Sequence, residues 1–260
     1  MLKPIRPAAP IRARYEARLT AMIDDMHASI LHWITAAWNK ADPETTLYGQ
    51  DEAPVKVLKS MMSQLGRQWS DRFDELADSL ADYFSKAVLA RNDRALAEML
   101  RKGGFSVRFK MTKAMRQSYD AVRAENVGLI RSIAAQHLGQ VDTLVMQSVS
   151  QGRDLATLTK ALHRQLGVTK RRAAFIALDQ NNKATAVLQK SRHIELGITK
   201  AKWLHSAGGK TPRPEHKAFS GKVYDIREGH DFGDGNGPVW PGTAINCRCV
   251  SVPIVPGFDD

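Results

Sequence analysis

Cys247 and Cys249 are the only cysteines in the 260 residues; a single residue separates them, and His216 precedes both. Thiolate sulfur and imidazole nitrogen are borderline-soft donors. His216 with Cys247 and Cys249, joined by His205 or His230, could therefore hold a structural zinc ion in tetrahedral geometry. The spacing is not the usual one for zinc. Both sulfurs face one ion only across a sharp turn, or along a strand whose two-residue period points alternate side chains the same way. The same residues suggest a second chemistry, with either cysteine as nucleophile and His216 as its base, although the sequence names no carboxylate or amide to orient the ring. A third reading is packing alone: free, partly buried cysteines filling a small core with no cofactor. A pair this close cannot close a wide loop as a disulfide, so folding must rest on packing, and a reduced compartment suits such usage.

Around these three residues stand Trp203, Thr211, Arg213, Gly221, Asn246 and Arg248. Arg213 and Arg248 each carry five rigid donors that can tie neighbouring loops through carbonyls or carboxylates, replacing part of a missing hydrogen-bond ladder. The alternative use of either arginine is contact with DNA phosphate.

The elements that must position these residues follow from periodicity. Apolar residues at Ile11, Tyr15, Leu19, Met22, Met26, Ile30, Trp33 and Ala37 mark one face of an amphipathic helix. Residues 42–51 read as a connection, and a second helix begins near Pro54. Its stripe runs through Leu58, Met61, Leu65, Trp69, Phe73, Leu76, Leu80 and Phe84; if continuous to Leu100 it spans about 70 Å, with a kink at Asn92-Asp93 as the alternative. Gly103-Gly104 closes it, and Phe105 to Phe109 alternates as a short strand or extended strap. A third helix covers residues 112–149. Asn126 interrupts its apolar stripe and calls for a hydrogen-bonded partner that sets helix register.

Asp154 caps a short helix that Gly167 ends, and Thr169 caps another reaching Leu196. Lys170, Arg171 and Arg172 then fall in a first turn, against the helix dipole. Together with Lys183, Lys190 and Arg192 they are the candidate DNA contacts. Beyond Gly197, Ile198 to Leu204, Lys222 to Ile226 and Val250 to Val255 read as short strands between glycine- and proline-marked loops. The expected class is α+β: a predominantly helical body of long helices followed by a small mixed C-terminal region of short strands and long loops.

The net charge of +11 is unevenly spread. Residues 86–131 hold eleven Lys and Arg against four Asp and Glu, and residues 153–217 hold fourteen against four. Such blocks suit a surface that meets a polyanion. No stretch approaches the roughly 20 apolar residues of a membrane span, and the proline-rich start reads as an extended arm without the apolar run of a signal peptide. There is no dinucleotide-binding or P-loop fingerprint.

Taken in order, Trp203, then Thr211-Pro-Arg213-Pro-Glu-His216, Gly221, Pro241-Gly242 and Asn246-Cys247-Arg248-Cys249 resemble the C-terminal signature of the phage Mu F-like and SPP1 gp7-like head morphogenesis family. The resemblance runs from about Phe109 to Val255. The family's alanine-arginine-threonine-glutamate segment corresponds to Ala177-Leu178-Asp179-Gln180, and its usual acidic residue is replaced around Gly209-Lys210, so roles that need those charges do not carry over. The resemblance implies a phage head morphogenesis domain over residues 105–260, with helices at 112–197 and the mixed module at 198–260. It leaves residues 1–104 as a helical region for docking on a portal or capsid partner. It further implies a minor head component that is not an enzyme, with portal protein, procapsid or scaffold components and packaged double-stranded DNA as partners. Such a protein is expected in the virion and, during assembly, in the host cytoplasm. A freestanding nucleic-acid-binding protein is the alternative, and a cysteine- or metal-dependent hydrolase the third reading.

Overall fold

The computed structural model describes residues 3–40, 53–152, 154–206, 209 and 211–255. The connection expected at residues 42–51 lies outside them. Four long helices come first: α1 (Ala9–Lys40), α2 (Ala53–Lys102), α3 (Lys113–Ser150) and α4 (Leu155–Glu195). The remainder is short: β1 (Lys200–Leu204), α5 (Pro214–Ala218), β2 (Val223–Asp225) and β3 (Val250–Pro253). The expected class, a helical body with a small mixed C-terminal region, is what the chain adopts. Among the described residues no helix is long and apolar enough to cross a membrane.

Helix boundaries follow local chemistry. Asp154 caps α4 through its carboxylate, which accepts from the Thr157 backbone N–H at 2.7 Å. Gly104, at φ 85°, ends α2, and the Phe105 N–H reaches back to the Leu100 carbonyl at 3.0 Å. α2 runs unbroken through Asn92-Asp93. Phe105 to Phe109 forms no strand; it is the extended strap of the two alternatives.

Two expectations fail. The α1 stripe predicts Trp33 buried, yet it is 50% exposed, and Ile23 and Ile34 take the buried positions. The two helices expected between Asp154 and Leu196 are one. Gly167 does not end it, because a helix-interior glycine costs only about 1 kcal/mol, less than the buried Leu158, Leu162, Ala173 and Ile176 on either side recover. Thr169 is no cap. Its hydroxyl bonds the Gln165 carbonyl one turn back at 3.1 Å, and it meets His137 Nδ1 at 2.8 Å. Lys170, Arg171 and Arg172 therefore sit mid-helix, where the dipole conflict does not arise.

The chain forms two compact units, one of residues 15–80 and 126–176, the other of residues 1–14, 81–125 and 177–260. In the first, Tyr15, Leu19, Ile23, Met26 and Ile30 are fully buried. The Tyr15 hydroxyl donates to Asn126 Oδ1 at 3.0 Å, the partner that Asn126 required. His27, His137 and His163 come together in this unit, with His27 Nε2 at 3.3 Å from His163 Nδ1.

The second unit holds a three-stranded sheet in the order β2-β1-β3, both pairings antiparallel. Alternation along β1 buries Ala201 and Trp203 and turns Lys200 and Lys202 outward. Trp203 packs with Ile198, Tyr224, Ile226, Val252 and both cysteines, and Leu96 and Leu100 of α2 join the same core. The proline-rich arm is fastened too: Ile5 is buried in this core, and the Gln189 side chain donates to its carbonyl at 3.0 Å.

Burial pushes both His137 and His193 down to about 4 from an ordinary 6.5. Between those values the unfolded chain binds protons that the folded chain refuses, so stability is whole above pH 6.5 and falls as pH drops towards 4. The loss is on the order of 3 kcal/mol per histidine. Denaturant midpoints measured from pH 7 to 5 should fall accordingly, and His137→Gln should flatten the slope by roughly one proton.

Candidate functional site

His216 is carried by α5, a single turn that opens with Pro214 at its first position, where the missing donor costs nothing. This helix lies between the expected strands, and its signal is the proline that follows the extended Arg213. The residue is 4% exposed. Its ring stacks on Phe232 with centroids 4.8 Å apart and meets the Trp203 edge at 5.0 Å. Aromatic faces hold this imidazole, in place of the orienting carboxylate that a catalytic base would use.

Cys247 and Cys249 lie in the extended segment leading into β3. Alternation buries both and leaves Arg248 partly exposed, so the two-residue period turns both sulfurs inward. Each sulfur approaches the same nitrogen: Cys247 Sγ is 3.6 Å and Cys249 Sγ 3.7 Å from His216 Nδ1. The three donor atoms all lie within 4.8 Å of one another. The Cys249 thiol hydrogen-bonds to the Cys247 sulfur, and backbone N–H groups of Cys249 and Gly242 add to this. Together they hold the Cys247 thiol below its usual range despite burial. Donating that bond, together with burial, pushes the Cys249 thiol up; the Trp203 indole and the Ser206 backbone oppose the rise. A small cavity adjoins the cluster, walled by His205, Thr211, Arg213, His216, Asn246 and Arg248 among others. His230 is not in that wall; it stacks on Phe219 at 3.7 Å.

What brings the cysteines to the histidine is a turn pinned from two sides. Asn246 is the one non-glycine residue with positive φ, at 57°, among the described residues. The Asp179 carboxylate on α4 accepts its backbone N–H. One turn further along α4, Asn182 donates to the Cys247 carbonyl at 3.2 Å. From the other side, Arg213 donates to the Ile245 carbonyl at 3.1 Å, the loop tie its type suggested. Gly242, at φ 87°, lets the turn approach α4: a Cβ there would stand 3.1 Å from both the Ala186 Cβ and the Cys249 carbonyl. Gly221, at φ 86°, donates its N–H to the Trp203 carbonyl at 2.7 Å.

Asp179 and Asn182 escaped the sequence analysis as site residues. Asp179 was noted only as a departure from the family segment; the three-residue spacing that puts both on one helix face was the available signal.

Of the six candidate DNA contacts, Arg192 is corrected. It is 2% exposed, forks onto both carboxylate oxygens of Asp93 at 2.8 Å, and donates to the Lys110 carbonyl at 2.7 Å, so its guanidinium is spent inside the protein. Lys183 pairs with Glu125 at 2.7 Å and Lys170 pairs with Asp24. Arg172 donates to the Ser132 hydroxyl at 2.8 Å, and the Lys190 ammonium sits 3.1 Å over the Trp240 ring. Arg171 is exposed.

Residues 139–252, which span α4, the sheet and the cysteine pair, match the family described as Phage Mu protein F like protein. The match covers 114 of the 260 residues of the chain. The match bears out the resemblance drawn from the tryptophan, arginine-histidine and asparagine-cysteine-arginine-cysteine elements. An uncharacterized protein of Haemophilus influenzae is 31% identical over 222 residues, which cover 82% of this chain and 47% of that protein. The chain thus spans about half the length of that relative. No solved structure matches the chain.

Within the matched stretch, Asp179→Ala removes the acceptor of the exposed Asn246 N–H and should cost about 0.5–1.5 kcal/mol. It should also speed alkylation of Cys247 in the native protein. Lys183→Ala, which breaks a half-exposed ion pair beside it, should cost under about 1 kcal/mol and leave labelling unchanged.

Proposed function

We propose that this chain is a minor head morphogenesis protein of a tailed bacteriophage, acting at the portal and procapsid during head assembly and touching packaged double-stranded DNA. The observation that carries this reading is the match of residues 139–252 to the Phage Mu protein F like family. The work is recognition without turnover. Residues 1–104 dock on a portal or scaffold component, and Trp33, half exposed on α1, supplies an aromatic anchor of the kind that dominates protein interfaces. Relatives in the head family imply residence in the virion, with assembly in the host cytoplasm.

For DNA contact the geometry favours a surface other than most of α4. An open groove in the second unit is lined by Lys3, Arg6, Arg91, Arg94 and Lys102, against the single carboxylate of Glu98. Glu98 pairs with Lys102 at 3.1 Å, and Lys3, Arg6, Arg91 and Arg94 are exposed. Cations spaced along two chain segments fit the phosphate backbone and read no base sequence.

Binding to duplex DNA should weaken steeply with salt, and Arg91→Ala with Arg94→Ala should reduce the log–log salt slope by about 2. Full affinity retained at high salt would contradict a phosphate interface. Head location is checked by pull-down from infected cells followed by imaging of assembled heads: density at the portal vertex is expected, and absence of the chain from both procapsids and virions would end the proposal.

A further inference from the structure

The cluster of His216, Cys247 and Cys249 has a geometry that packing alone does not require. Zinc–sulfur bonds of about 2.3 Å and a zinc–nitrogen bond of about 2.05 Å, meeting at the tetrahedral angle, place sulfur and nitrogen about 3.6 Å apart. The two sulfurs stand 3.6 and 3.7 Å from one ring nitrogen. Both sulfurs therefore stand at the separation from that nitrogen which a shared tetrahedral ion sets.

Hydrogen-bond donors face both sulfurs. Backbone N–H groups of Cys249 and Gly242 hydrogen-bond to Cys247, and that of Ser206 to Cys249. The Trp203 indole N–H has no oxygen or nitrogen acceptor, and its electrostatic partner is the Cys249 sulfur. Donors aimed at ligating atoms are what orient and tune a metal's ligands. Three protein donors leave one tetrahedral position. A cavity of about 40 Å³ adjoins the cluster, with room for one water molecule.

We propose that His216 Nδ1, Cys247 Sγ and Cys249 Sγ hold one structural zinc ion, with a cavity water as the fourth ligand. The ion replaces the thiol protons, which leave to solvent, and no electron moves. It joins α5 to the segment entering β3, fastening a region whose regular hydrogen-bond ladder is one small sheet. Mixed thiolate and imidazole donors in a tetrahedral array select zinc over the hard, oxygen-seeking cations. The assignment is independent of the head-assembly reading.

The test uses the full chain, reduced, stripped with chelator and reloaded. Native mass spectrometry should find one zinc per chain, and the cobalt-loaded protein should show the sulfur-to-metal charge-transfer and visible bands of tetrahedral thiolate ligation. Cys247→Ser, Cys249→Ser and His216→Ala should each weaken zinc affinity by more than roughly 100-fold, beyond what the loss of an outer partner does. His205→Ala should keep the stoichiometry. Helical circular dichroism reports whether each variant has folded, and the wild-type cobalt spectrum decides the matter even if every variant fails. A folded, reduced wild-type chain with neither bound zinc nor a thiolate–cobalt band would overturn the site. Equally damaging would be a Cys247–Cys249 disulfide as the stable state with zinc present, or full zinc affinity in Cys247→Ser. Loss of the metal in His205→Ala would overturn the three-ligand assignment.

Discussion

The second unit depends on one helix face satisfying the backbone of segments that have no ladder of their own. Along α4, Gln180, Asn181, Asn182, Thr185, Gln189, Arg192 and His193 are all buried, an unusual density of polar side chains away from water. For four of them the partner is a distant backbone carbonyl. Asn181 donates to the Ala8 carbonyl, Asn182 to that of Cys247, Gln189 to that of Ile5 and Arg192 to that of Lys110. The Thr185 backbone carbonyl accepts from Asn92 on α2. An N-terminal arm, a strap and the cysteine turn are each irregular, and each would leave carbonyls orphaned if buried against an apolar helix.

That constraint also governs the charges. Arg192 reads on paper as one more cation in a basic segment, yet its bidentate pair with Asp93 and its bond to the strap make it a structural clamp. Arg over Phe109 at 4.8 Å completes the enclosure. While the polar face of α4 is committed inward, cations on the arm and the last turns of α2, such as Lys3, Arg6, Arg91 and Arg94, are exposed. Net charge counts every cation alike; burial decides which of them reach the surface.

The aromatic cluster around Trp203 does the corresponding work for the site. Tyr224, Phe232, Phe219 and His216 all meet the indole edge-on within 5.8 Å. Such packing fixes ring planes as well as filling volume. The imidazole nitrogen that faces the sulfurs is therefore held in direction by its aromatic neighbours.

Long stretches of this architecture were legible in the residues alone. Three- and four-residue apolar spacing marked α1, α2 and α3. Asp154 and Gly104 marked ends, and glycine- and proline-rich loops bounded all three strands within two residues. The F-like signature was visible as Trp203, Arg213, His216 and Asn246 to Cys249. These are local properties, set by side-chain period and by backbone chemistry within a few residues. The tertiary structure decided what locality cannot: that Gly167 is overridden by flanking burial, that Trp33 faces solvent, and that Arg192 turns inward. It also decided that Asp179, separated from Asn246 by 67 residues, holds the turn that carries both cysteines to His216. Hydrogen bonds and burial across such separations depend on which surfaces meet, and no periodicity in a single chain records that.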